Sequence, residues 1–182
     1  MKVVIVLAVL ALIVLVIIGI YNRLVGLRQN VRQALGDIDA QLRQRHDLVP
    51  NLVSTVKGYA GHEQATFDQV ISARNRAAGG STPEAEAELT KSLSNLLALG
   101  EAYPDLKASA NFQALQGELA DVEDKLAASR RSLNAATANY NTARESFPAV
   151  LLAGPFGFQA ADFHQLAADE KSTVGSVPKV EF

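Results

Sequence analysis

The chain has no cysteine and no tryptophan, and aromatic residues fill only 6% of its 182 positions. Without thiols there is no disulfide, no thiolate metal site and no cysteine nucleophile, and the redox compartment is left open. So few aromatics suit helices rich in Ala, Leu, Glu and Gln better than sheets. An excess of one charge is also missing. Seventeen Lys and Arg against nineteen Asp and Glu give a formal net charge of −2, which argues against a nucleic-acid partner. His46, His62 and His164 are the only three histidines and lie far apart. His62 and Glu63 begin no HExxH, because Thr66 stands where the second histidine belongs, and no other ligand spacing suggests a metal. There is no GxGxxG, and GGSTP at 79–83 lacks the lysine and the preceding strand of a phosphate loop. No metal, no cofactor and no small-molecule substrate are expected. The acidic groups Glu84, Glu86, Glu88 and Asp121, Glu123, Asp124 read as solvated helix faces and helix starts.

What the chain does have is a long apolar run. VVIVLAVLALIVLVIIGI, Val3 to Ile20, holds eighteen residues without a polar side chain, and fifteen are Val, Ile or Leu. As a helix it rises about 27 Å, close to the ~30 Å of bilayer hydrocarbon. At roughly −0.3 to −0.6 kcal/mol per residue near the centre, insertion is favourable by several kcal/mol. The exit IIGIYNRL lacks the small residues of a cleavage site, so the run reads as an uncleaved anchor rather than a signal peptide. Val3, Val4, Ile5, Leu7, Leu10, Leu12, Ile13, Leu15, Ile17, Ile18 and Ile20 are its membrane-facing side chains, and Tyr21 stands where an interfacial aromatic belongs. Lys2 and the α-amine lie before it; Arg23, Arg28 and Arg32 follow closely. This bias leans toward a cytoplasmic body with the N-terminus outside.

Beyond the anchor the pattern is helical throughout. Leu24, Leu27, Val31, Leu35, Ile38 and Leu42 recur in steps of three and four, one buried stripe on a helix continuous with the anchor to about Arg45. Val49, Leu52, Val53, Val56, Ala60, Phe67, Val70 and Ile71 form a second stripe, ended by Gly79 and Gly80. Thr82 is the expected N-cap of a third helix, with Pro83 at its first position and Glu84 and Glu86 facing its dipole. Pro104 and Asp105 turn the chain again. A fourth helix runs from Phe112 through Leu115, Leu119, Val122, Leu126, Ser129, Leu133, Ala136, Tyr140 and Ala143 to Phe147, a heptad seam over five repeats. Pro148 closes it.

RQRHDLVPNLV, Arg43 to Val53, then falls where the first soluble helix must turn into the second. Pro50 lacks an N–H and would clash with the His46 carbonyl if one helix ran straight through. A new helix capped by Asp47 avoids both problems, so Asp47 and Pro50 are read as a helix corner. A catalytic reading of His46 beside Asp47 is the weaker one, because adjacent residues rarely converge on one substrate atom. Four helices with short connections should pack up-down-up-down. That order returns FPAVLLAGPFGF, Phe147 to Phe158, to the bilayer, where Phe147, Leu151, Leu152, Phe156 and Phe158 are candidate membrane or partner contacts.

Several uncommon blocks occur in order: YNRLVGLRQNV, DIDAQLRQRHDLVPNLVSTVKGYAGHE, LGEAYPDLKASANFQALQGEL, YNTARESFP, PFGF and the closing PKVEF. On these the chain resembles the LemA family of bacterial membrane proteins over nearly its whole length. The resemblance implies an antiparallel four-helix bundle behind one membrane helix, and it brings no catalytic residues. Two places depart from the family's pattern: QAADFHQLAADE is less charged than usual, and His46 stands where tyrosine is frequent.

The expectation is an all-α protein: a transmembrane anchor at 1–22, an antiparallel up-and-down four-helix bundle at 23–147, and an apolar Gly/Pro segment with an irregular tail at 148–182. Its expected role is a non-enzymatic, single-pass, self-associating scaffold or adaptor in the bacterial inner membrane. Expected partners are membrane lipids and either a second copy or another envelope protein. A membrane-surface binding or shaping protein is the alternative, and a hydrolase using His46 or His62 the remote one.

Overall fold

The computed structural model describes residues 1–163. His164 and the tail EKSTVGSVPKVEF lie outside them. All regular structure among the described residues is helical: α1 (Lys2–Lys57), α2 (Gln64–Gly79), α3 (Pro83–Glu101), α4 (Pro104–Lys107), α5 (Ala110–Glu145) and α6 (Val150–Ala153). The four long helices are the expected bundle elements, and α4 and α6 are single turns in the connections. The chain forms two compact units, and both α1 and α5 contribute to each.

One unit holds 1–38 of α1, 128–145 of α5 and the segment that follows. Leu24, Val31, Ala34 and Ile38 bury against its interior, as do Leu133, Thr137, Tyr140 and Ala143. Ala34 takes the inward place assigned to Leu35, which is exposed, in keeping with the seven-residue steps from Leu24 to Val31 to Ile38. The Val3–Ile20 run is helical and none of it is buried by the rest of the protein. α1 is therefore long and apolar enough at this end to cross a membrane.

The other unit holds 39–127 among the described residues. Its core joins Val49, Leu52, Val53 and Val56 of α1 to Phe67, Val70 and Ala73 of α2, Leu89, Leu93 and Leu96 of α3, and Phe112 and Leu119 of α5. Thr82 caps α3, its side chain accepting from Ala85 N at 3.3 Å, with Pro83 at the first position. Gly100 lets the Phe112 ring lie against the α3 backbone, where an added Cβ would stand 2.4 Å from the ring carbon Cζ.

The corner at Asp47 and Pro50 does not exist. α1 runs unbroken through Pro50 to Lys57. The turn comes at 58–63, where Tyr59 N and Ala60 N both bond Val56 O. Proline leaves the carbonyl four residues back without its helical donor, and here the orphan is His46 O. Arg74 Nε, from α2, donates to it at 3.1 Å. That tertiary bond replaces the missing helical one, so the helix has no need to end. Asp47 is exposed and only approaches Arg74, at 3.9 Å.

Candidate functional site

Two clusters stand apart from ordinary packing, one in each unit. In the unit of 1–38 and 128–163, the chain leaves α5 at Glu145 and turns through α6. Residues 158–161 are then strapped back onto α5 by three of its side chains. Arg144 Nε donates to Phe158 O at 2.9 Å, and Tyr140 Oη donates to Gln159 O at 2.7 Å. The Asn141 amide is paired twice with the Ala161 backbone, at 2.8 and 2.9 Å. Positions 140, 141 and 144 share one face of the last turns of α5, which is what the YNTAR block encodes.

The strap delivers two aromatic rings to Tyr21, the first residue after the apolar run. Phe156 and Phe158 meet the Tyr21 ring edge-on, with centroids 5.4 and 5.5 Å away. Such edge-to-face pairs are the favoured geometry of aromatic rings. Arg28 Cζ lies over the Phe158 ring, 5.0 Å from its centroid.

The five contact candidates divide. Phe147 is 81% exposed and Leu151 65%, while Phe156 is exposed on one side and Leu152 is half-buried. Phe158 is only 2% exposed. It is an interior residue between Tyr21 and Arg28, and the reading of it as a surface contact is corrected. Apolarity identified it, but its neighbours from α1 could not be read from the segment itself.

In the other unit, Arg45 is 1% exposed. Its guanidinium ion-pairs with Glu86 of α3, donates to Thr90 Oγ1 at 3.1 Å and reaches Glu123 of α5 at 2.7 Å. His46 Nε2 shares the Glu86 carboxylate at 3.0 Å. Four polar side chains from three helices thus converge on one buried carboxylate or its partner. The reading of Glu86 as a solvated helix start is therefore corrected: it is 6% exposed and belongs to the core. The signal in the sequence was slight, a lone Arg-His pair on the apolar stripe of α1.

A groove of about 420 Å³ beside this cluster is lined by Arg43, His46, Asp47, Arg74 and Ser81, among others. His62 is exposed in the turn after α1. His46 precedes the end of that helix by about 16 Å of rise, so the fold does not gather the two histidines into one site.

Three curated relatives carry the comparison further. The magnetosome protein MamQ of Magnetospirillum gryphiswaldense is 24% identical over 181 residues, covering 82% of this chain and 66% of the relative. MamQ 1 and MamQ 2 of Paramagnetospirillum magneticum are each 24% identical over 175 residues, covering 80% of this chain and 64% of theirs. The chain thus spans just under two thirds of the length of these relatives. The LemA family model matches residues 34–182, a stretch that holds both the buried Arg45–Glu86 pair and the strap on α5. With that match over most of its length, this membrane-associated helical chain belongs to the LemA family.

Proposed function

We propose that the protein is a single-pass scaffold of the bacterial inner membrane whose 147–158 segment lies in the headgroup layer of the bilayer that α1 crosses. One observation carries this reading: the edge-on contact of Phe156 and Phe158 with Tyr21. It fixes the segment beside the residue at which the apolar run ends. Phe147, Val150, Leu151 and Phe156 then expose apolar surface at that level. Full burial of such side chains is worth about 1.5–3 kcal/mol each, so partial burial of several at an interface is a substantial attraction. The segment is too short to span, and Gly154, Pro155 and Gly157 keep it from extending α6.

The bundle is the scaffold, and proteins of the envelope are its proposed partners. The α5 seam does not argue for self-association, because Leu119, Val122, Leu126, Leu133 and Tyr140 are buried within the molecule. The body is proposed to face the cytoplasm, on the charge bias around the anchor.

The absence of cysteine makes the test direct. In the full chain, Leu151→Cys is labelled with an environment-sensitive dye and reconstituted into liposomes. Quenching by lipids labelled near the headgroup, with little quenching by aqueous iodide, is expected. Full quenching by iodide would put the segment in water. Protection from both quenchers would place a protein neighbour there, and either outcome overturns the interfacial reading.

A further inference from the structure

The unit that contains the anchor is strongly basic. Outside the apolar run it carries Lys2, Arg23, Arg28, Arg32, Arg130, Arg131 and Arg144 against Asp37, Glu145 and Asp162. The one ion pair among these described residues is Arg144 with Glu145, at 3.4 Å. Arg28 and Arg32 have no carboxylate partner there. The Nε of Arg28 is buried and unbonded, although its guanidinium rests on the Phe158 ring. A ring face attracts the charge but accepts few of its five N–H bonds. A buried N–H donor with no acceptor is an unfavourable arrangement, and an anion at the half-buried Arg28 would complete it.

Space for that anion is present. Arg28 and Arg32 line a groove of about 300 Å³ whose opposite wall is Tyr140, Gly157 and Gln159. Gln159 belongs to the strapped segment, which the Tyr140 and Arg144 bonds to its backbone hold in place. Gly157 has a φ of +70°, a conformation that glycine adopts without strain, and it presents no side chain to the groove.

Arg28 is also at the right depth. Arg28 follows Ile20 by about 12 Å of helix rise, and headgroup layers extend roughly 5–7 Å beyond the hydrocarbon. Helix side chains lean toward the N-terminus, here the bilayer side, and a long arginine stem returns its charge by several ångströms in the same sense. The contact chain from Arg28 to Phe158 to Tyr21 shows that this is the direction taken. The same segment that walls the groove exposes Phe147 and Leu151, apolar surface suited to an acyl chain.

We infer that Arg28 and Arg32 form a binding site for the phosphate of an anionic phospholipid headgroup, supplied by the bilayer that α1 crosses. This inference rests on the interfacial reading of 147–158. The site explains the unpartnered Arg28 and makes the headgroup part of what holds the strapped segment to α1.

The test is native mass spectrometry of the full chain released from a nonionic detergent, titrated with phosphatidylglycerol or phosphatidylcholine, with inorganic phosphate as competitor. Phosphatidylglycerol should be retained over phosphatidylcholine. Arg28→Gln/Arg32→Gln should weaken its retention on the order of tenfold, as loss of two cationic contacts requires. Arg32→Gln alone, at an exposed position that cannot unfold the chain, should weaken it in the same direction. Arg130→Gln/Arg131→Gln removes equal charge away from the groove and should change retention little. Equal losses in the two double variants would show a diffuse field rather than a site and overturn the inference. So would displacement by millimolar phosphate, which would make the ligand a free anion, or the absence of any phosphatidylglycerol preference. If Leu151→Cys is quenched by headgroup-labelled lipid while that preference is absent, this inference fails alone. If Leu151→Cys is quenched by iodide, the interfacial reading fails.

Discussion

At the scale of single residues, two arginines explain what is unusual about this fold. Arg45 neutralises Glu86 inside the core, and breaking one half of a buried ion pair leaves the other charge uncompensated. Arg45→Met is therefore expected to cost about 3–5 kcal/mol. Arg45→Met/Glu86→Leu, which replaces both by apolar groups, should recover most of that loss. Urea unfolding of the three proteins, monitored by circular dichroism, checks the order. Arg74 acts on backbone instead, through His46 O. Arg74→Ala should cost about 1–3 kcal/mol for an orphaned buried acceptor. In a Pro50→Ala background the helix supplies its own donor to that carbonyl, so the same truncation should cost clearly less. Additive losses in this double-mutant cycle would show that Arg74 stabilises the protein by some other route.

At the scale of elements, the close approach of α3 and α5 depends on Gly100. Its missing side chain admits the Phe112 ring, which is itself 1% exposed. Gly100→Ala is expected to destabilise by about 1–3 kcal/mol despite its better helix propensity, because overpacking outweighs a propensity gain of at most ~1 kcal/mol. Gly100→Ala/Phe112→Leu should regain part of the loss. Thermal melts of both variants measure this, and a stabilised Gly100→Ala would show that the ring can shift. The strap on α5 is the other element-level device. It converts a Gly- and Pro-rich segment that could not hold its own shape into a fixed wall, using three side chains on one helical face.

At the scale of the whole molecule, the two units differ in sign. The described residues 39–127 carry eight basic and thirteen acidic side chains, whereas the anchor-bearing unit is basic. Anionic lipid attracts one and repels the other, within a Debye length of roughly 8 Å at physiological salt. Sidedness is tested by Ser81→Cys, in the exposed turn between α2 and α3. An impermeant maleimide is expected to label it only after lysis, with the body in the cytoplasm. Labelling in cells whose inner membrane is intact would place the body outside and overturn the orientation read from the charge bias.

The sequence by itself determined the elements that depend on local pattern: the apolar run, the stripes on α1 and α5, the Thr82 cap with Pro83, and the chain's family. These follow from periodicity, length and the intrinsic chemistry of a few residue types. Only the tertiary structure decided the rest. Pro50 could be read as a corner because the sequence cannot show that Arg74, 24 positions away, repairs the carbonyl it orphans. Glu86 read as a solvated helix start because its partners Arg45 and His46 lie on another helix. Phe158 read as surface because the rings and charge that cover it come from α1. In each case the deciding partner is a side chain distant in sequence, so local pattern could not reveal it.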